Sequence, residues 1–308
     1  MTAAGLIINP ISGAGADRHA AEHRTALARR VAAAAGASLD VAVTEYAGHA
    51  RAIARAFKDK GMRLVVAWGG DGTVNEIASE LAGTDVALGI IPSGSGNGLA
   101  TELGFNRDPQ HALEDALLHA RELRIDVGSI NGRLFANIAG IGFDGHVAHQ
   151  FQRLALGRRG GRPYLTIALK SAWQYEPRRY RIEIPGEVIE ARALLMAFAN
   201  GRQYGNGAVI APKGSATDGL LDLVVVDDRP VWRNFLRVHH LFRRTADRAP
   251  GVLTRQVREA RVTCDEPLEI HVDGEIVMQT TEAFVTIKPA SLVLRVPAPV
   301  IRASGHRR

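Results

Sequence analysis

Gly69-Gly70-Asp71-Gly72-Thr73-Val74-Asn75-Glu76 packs three glycines, a carboxylate, a hydroxyl and an Asn-Glu pair into eight residues. It follows an apolar run, Leu64 to Trp68, and precedes a helical pattern. A turn at that place presents backbone N–H groups and a helix dipole to an anion, and glycines without Cβ let a phosphate come close. A carboxylate beside polyphosphate repels it unless a cation lies between them, so Asp71 points to Mg²⁺, held directly or through water. The P-loop signature G-x-x-x-x-G-K-[ST] is absent, and the spacing is not the dinucleotide fingerprint G-x-G-x-x-G.

Two further turns carry the same chemistry. Pro92-Ser93-Gly94-Ser95-Gly96-Asn97-Gly98 follows the apolar run Val86 to Ile91, and Asn9-Pro10-Ile11-Ser12-Gly13 follows Leu6-Ile7-Ile8. Turns at the ends of neighbouring strands can face one nucleotide. Later in the chain, Asp218-Gly219 and Asp273-Gly274-Glu275 place carboxylates at dipeptides that also form hairpin turns.

The elements that must position these residues alternate in the first third. A helix is expected from Asp17 to Ala35 with Gly36 as its stop, then a strand from Leu39 to Val43. Tyr46, Ala50, Ile53 and Phe57 mark one face of a second helix that ends at Gly61. The uniformly apolar strands 64–68 and 86–91 suit a parallel sheet covered on both faces. This half reads as a three-layer α/β domain. After about residue 128 the pattern changes to short strands, among them 181–184, 193–198, 220–226, 268–272 and 284–287, with one helix near 231–244. These predict an antiparallel β domain. The expected division is 1–128, 129–288, and a C-terminal segment 289–308 able to return to the first domain.

With 308 residues, 46% hydrophobic and 23% charged, the chain is of globular composition. No apolar run has the length of a membrane span or signal peptide, and the single cysteine, Cys264, reads as a small core residue; both favour a cytoplasmic protein. The formal charge of +6 suits polyanionic partners. Arg153, Arg158, Arg159 and Arg162 flank glycines and could dock on an anionic membrane, while the helix near 231–244 suits either an interface or its own sheet. His146 and His149 have helical i, i+3 spacing without a further ligand nearby, a weak basis for zinc.

Asn9-Pro10 with Ser12-Gly13, Gly-Gly-Asp-Gly-Thr-x-Asn-Glu, and Pro-x-Gly-Ser-x-Asn together resemble the diacylglycerol kinase catalytic-domain superfamily, which includes bacterial lipid kinases and sphingosine kinases. Gly140-Ile141-Gly142-Phe143-Asp144, Ala211-Pro212, Asp218-Gly219-Leu220-Leu221-Asp222 and Asp273-Gly274-Glu275 continue the likeness through the second half. The resemblance implies an ATP- and Mg²⁺-dependent kinase with its site between an α/β domain and a β-sandwich, acting on the hydroxyl of diacylglycerol or a similar lipid. It implies ATP binding by Asn9, Pro10, Ser12, Gly13, Thr44, Gly69, Gly70, Asp71, Gly72, Thr73, Val74, Asn75 and Ser95. Mg²⁺ would fall on Ser215, Asp218 and the backbone of Leu220, with Glu275 as general base and Asp71 as the second catalytic carboxylate. Ser95 and Gly98 stand nearer to the sphingosine-kinase form of the second turn, so a sphingoid-base kinase is an alternative. NAD kinase, which shares Gly-Gly-Asp-Gly-Thr, and a non-catalytic ATP- or lipid-binding regulator are the others. The expected partners are a lipid and an anionic membrane surface, not nucleic acid, and a homodimer is left open.

Overall fold

The computed structural model describes residues 3–13, 18–94, 96–143, 176–205, 207–229 and 231–298. Ser95, the His146/His149 pair and the arginines at 153, 158, 159 and 162 lie outside them. Among the described residues no helix is long and apolar enough to cross a membrane.

The first domain is built on four parallel strands in the order β4-β3-β1-β2: β1 Ala3–Ile8, β2 Ser38–Val43, β3 Leu64–Gly69 and β4 Ala87–Pro92. Every residue of β3 and β4 is buried, as their lack of alternation demands of strands covered on both faces. Helix α1 (Arg18–Ala34) supplies Ala28 and Val31 to the core on one face of the sheet. On the other face, α2 (His49–Asp59) and α3 (Asp71–Leu81) supply Ala50, Ala54, Phe57, Val74, Ile77 and Leu81. Gly36 and Gly61 end their helices with φ of 63° and 78°, a conformation costly for residues with a Cβ. Tyr46 departs from the predicted helical face: it precedes α2 and is exposed.

α4 (Gly98–Glu102) and α5 (Pro109–Glu114) lead, through a short wide turn, into the long strand β5 (Ala120–Ile130). The second domain continues with β6 (Arg133–Phe135), β7 (Ile138–Gly142), β8 (Arg178–Ile184), β9 (Glu187–Ala199), β10 (Gln203–Gly205), β11 (Ala208–Val209) and β12 (Leu221–Asp227). Helix α6 (Val231–Phe242) then precedes β13 (Val252–Val257), β14 (Glu259–Val272) and β15 (Glu275–Pro297). Its larger strands pair antiparallel around a core that includes Phe135, Met196, Phe198, Leu223 and Ile270. Cys264, expected in a core, lies in β14 and is only partly buried against this cluster.

β15 is the structural link. Its first half pairs with β14, and Leu292 to Pro297 pair with Ile125 to Ala120 of β5 while Leu294 meets Leu88 of β4. Between those halves Ala290 turns through a φ of 48°, and its N–H donates to the buried Asp126 carboxylate. The two domains therefore share one thirteen-stranded sheet.

A second carboxylate locks them. Asp273, at the β14–β15 turn with φ of 48°, accepts from the N–H groups of Ala136, Asn137 and Ile138 at 3.0, 3.0 and 2.9 Å. Asn75 Nδ2 of α3 adds a fourth bond at 2.7 Å. Burial pushes the Asp273 pKa up while these donors pull it down. Removing the carboxylate strands buried donors, so Asp273→Ala should lower the thermal unfolding midpoint by about 5–10 °C, read by differential scanning fluorimetry.

Candidate functional site

The sheet places the predicted turns side by side at the carboxyl ends of β4, β3 and β1, with Thr44 beyond β2. Thr44 is buried and its N–H donates to Ile8 O at 2.9 Å. Asn9 Nδ2 donates to Thr73 Oγ1 at 2.9 Å, tying the first turn to α3. Ser12 Oγ lies 2.6 Å from Ser93 Oγ, and a Cβ on Gly13, whose φ is 90°, would meet Ser93 O. Pro10 is half-buried in this turn. The first and second turns are thus in contact.

Close approach explains the glycines around α3. A Cβ on Gly70 would stand 3.2 Å from Gly94 Cα, and one on Gly69 would strike Thr73. One on Gly72 would fall inside the Glu275 carboxylate. The second domain therefore delivers Glu275 onto the first turn of α3, beside the N–H groups of the Gly70 turn. Glu275 is exposed as a residue while its carboxyl end is packed here. Burial raises its pKa, with further contributions from Glu76 and Asp273.

The Asp71 carboxylate is engaged by the second turn. Its Oδ2 accepts Asn97 N at 2.7 Å and its Oδ1 accepts Gly98 N at 2.9 Å. Burial, outweighing these donors, raises its pKa to about 6. Asp71 holds the second turn against α3, and Gly96 must lack a side chain because its Cβ would lie 2.8 Å from Asp71 Oδ2. Two other residues of the motif have partners within the protein. Val74 is buried and its N–H donates to Gly70 O at 3.0 Å within the helix. Both amide hydrogens of Asn75 are used across the domain boundary, on Leu134 O at 3.0 Å and on Asp273. Glu76, for its part, accepts Gly48 N at 2.8 Å at the start of α2.

Ser215, Asp218 and Leu220 share one loop, and no described hydrogen bond joins them to Asp71 or Glu275. Asp126 holds that loop by accepting Gly219 N at 2.7 Å, and Asp218 Oδ1 accepts Leu220 N at 3.0 Å. Ser215 Oγ lies 3.2 Å from Thr217 Oγ1. Nearby Asp222, buried, has its pKa raised to about 6 by burial and then by Asp218, against a smaller pull from Lys213.

Sequence reasoning missed Asn137, Arg202 and Glu102. Glu102 of α4 accepts from Arg202 Nε at 2.5 Å, and Asn137 Nδ2 donates to Gln203 O at 2.8 Å beside Gly98. They seat the second turn on the β-sandwich. Their signal in sequence was faint, being polar residues without a motif.

A parallel sheet with glycine turns at its carboxyl edge, met by a carboxylate from an antiparallel sandwich, defines a two-domain phosphotransferase. Residues 3–130 match the diacylglycerol kinase catalytic domain, and residues 137–296 match the YegS C-terminal NAD kinase beta sandwich-like domain. A probable YegS-like lipid kinase of Chromohalobacter salexigens is 33% identical over 245 residues, 78% of each chain. A diacylglycerol kinase of Mycobacterium tuberculosis is 30% identical over 295 residues, 94% of each chain. A solved structure of a diacylglycerol kinase from Bacillus anthracis superposes with a TM-score of 0.72 at 22% identity, covering 97% of both chains, which supports the fold. The chain belongs to the diacylglycerol kinase catalytic-domain family and is an enzyme of the lipid-kinase class.

The Asp222 environment makes a pH prediction. A carboxyl whose folded pKa is raised from 3.8 to about 6 binds more protons folded than unfolded, so it costs stability as pH rises through that window. In metal-free buffer, Asp222→Asn should raise the urea midpoint at neutral pH and raise it far less near pH 4, about the unperturbed Asp pKa. Equal shifts at both pH values would contradict the assignment.

Proposed function

We propose that this enzyme transfers the γ-phosphate of ATP to the hydroxyl of diacylglycerol or a similar lipid. The observation that carries this reading is the Glu275 carboxylate from the second domain, packed on Gly72 at the first turn of α3. Phosphoryl transfer needs held phosphates and a group to take the acceptor proton. In the proposed arrangement the turns at Asn9–Gly13, Gly69–Thr73 and Ser93–Gly98 hold the triphosphate with N–H groups and the α3 dipole. The acceptor oxygen forms a bond to the γ-phosphorus as the bond to the ADP oxygen breaks, and its proton passes to Glu275. The raised Glu275 pKa makes it a stronger base than an ordinary carboxylate once deprotonated.

Asp71 serves in this reading by fixing the two turns to one another, since both its oxygens already accept backbone N–H groups. Ser215 Oγ, Asp218 and the Leu220 carbonyl are hard oxygen donors of the kind Mg²⁺ takes, and Asp222, whose pKa burial and Asp218 raise, suits a cation beside it. Mg²⁺ held by these residues would supply positive charge at that loop. The lipid acceptor would come from a membrane surface, toward which the net charge of +6 is favourable.

Labelled ATP with Mg²⁺, offered against diacylglycerol, ceramide, sphinganine, phosphatidylglycerol and NAD, tests the substrate. Transfer to diacylglycerol is expected. Label on sphinganine alone would favour a sphingoid-base kinase, and label on NAD alone would overturn the lipid reading. Glu275→Gln should keep ATP affinity and lose roughly 10² to 10⁴ in turnover, the scale of general-base removal. Near-parental turnover in that variant would contradict the role given to Glu275.

A further inference from the structure

The turns at the carboxyl edge of the sheet are surrounded by acids. Asp71, Glu76, Asp273 and Glu275 all lie on or against α3. An anionic ligand needs a cation here, and the motif itself contains neither Lys nor Arg. One guanidinium is in place. Arg24, on the second turn of α1, reaches the first glycine turn: Nη1 donates to Asn9 O at 2.7 Å and to Ser12 Oγ at 3.3 Å, and Nη2 donates to Ser12 O at 2.8 Å. Its Cζ stands 5.6 Å from the centroid of the Trp68 ring, at the end of β3.

This placement is costly for a residue serving only to fill space. Arg24 is half-buried, burial lowers its pKa, and no described carboxylate forms a salt bridge with it. A guanidinium drawn partly out of water with no carboxylate among its described partners leaves a place for an anion. Carbonyl oxygens and an indole face supply only partial negative charge. An anion bound on the turn would complete the balance.

We propose that Arg24 is a positioning residue for nucleotide phosphate, clamping the Asn9–Gly13 turn from the α1 side and giving that turn its positive charge. The clamp is specific to a planar fork, because one guanidinium grips the carbonyls of Asn9 and Ser12 at once while stacking on Trp68. Ser12 then meets Ser93, so the grip extends to the second turn. The inference rests on the ATP reading above and adds a residue outside every motif of the chain.

Its test compares the parent, Arg24→Gln and Arg24→Lys by calorimetric titration with ATP and with adenosine, alongside steady-state transfer. Loss of a charge-assisted clamp should weaken ATP binding in Arg24→Gln roughly ten- to hundredfold and leave adenosine binding within about twofold. KM for ATP should rise with kcat largely retained. Lys should recover only part of the loss, and free guanidinium ion at non-denaturing concentration should partly rescue Arg24→Ala. ATP binding unchanged in Arg24→Gln would overturn the proposal, as would equal weakening of ATP and adenosine, the mark of a turn that has merely collapsed. A parent that transfers no phosphate from ATP would overturn the underlying reading instead, a result visible before any variant is made.

Discussion

The Asp273 carboxylate is the constraint on which the site depends. It sits in the turn between β14 and β15, two residues before Glu275, and gathers three consecutive backbone N–H groups from the entry to β7 together with the Asn75 amide of α3. Because its partners come from both domains, it sets their relative position at the place where the carboxyl of Glu275 meets Gly72. A buried carboxylate with four donors is worth keeping only if all four stay in place; losing any of them exposes a desolvation cost. That makes the turn rigid where the chemistry needs it to be.

The same economy recurs across the site. Asp71 holds Asn97 and Gly98, Asp126 holds Gly219 and Ala290, and Glu76 holds the start of α2. Each is a carboxylate that satisfies orphan backbone donors of a loop or helix end. The glycines answer a different need, the contact of one backbone with another or with a carboxylate, as at Gly70 against Gly94 and Gly96 against Asp71. Acids thus fix the loops, and glycines let them close. The result is a site rich in carboxyl groups.

Much of this was legible beforehand. Apolar runs without alternation identified β3 and β4 as buried parallel strands, and the glycine turns after them marked the sheet edge that carries the site. The change of pattern near residue 128 marked the antiparallel domain, though not that β15 would join the strands of both domains into one sheet. What sequence could not supply was direction. Asn75 and Val74 stand within the glycine-rich motif, and helical periodicity turns the first toward Asp273 and the second into the core. The partners of Asp71 in the second turn become visible only once the path of that turn is known. Arg24 belongs to an alanine-rich helix with no motif, and only the packing of α1 under the first turn gives it a partner.

The central claim is that Asn75 serves the domain boundary, through Leu134 O and Asp273, and not the nucleotide. Asn75→Ala measures it most directly, by ATP titration and steady-state phosphate transfer on the same preparation. If Asn75 ties α3 to Asp273 and so places Glu275, ATP affinity should stay within about twofold of the parent while kcat falls at least tenfold. A variant that loses ATP affinity and keeps its kcat at saturating ATP would instead make Asn75 a nucleotide ligand and contradict the account.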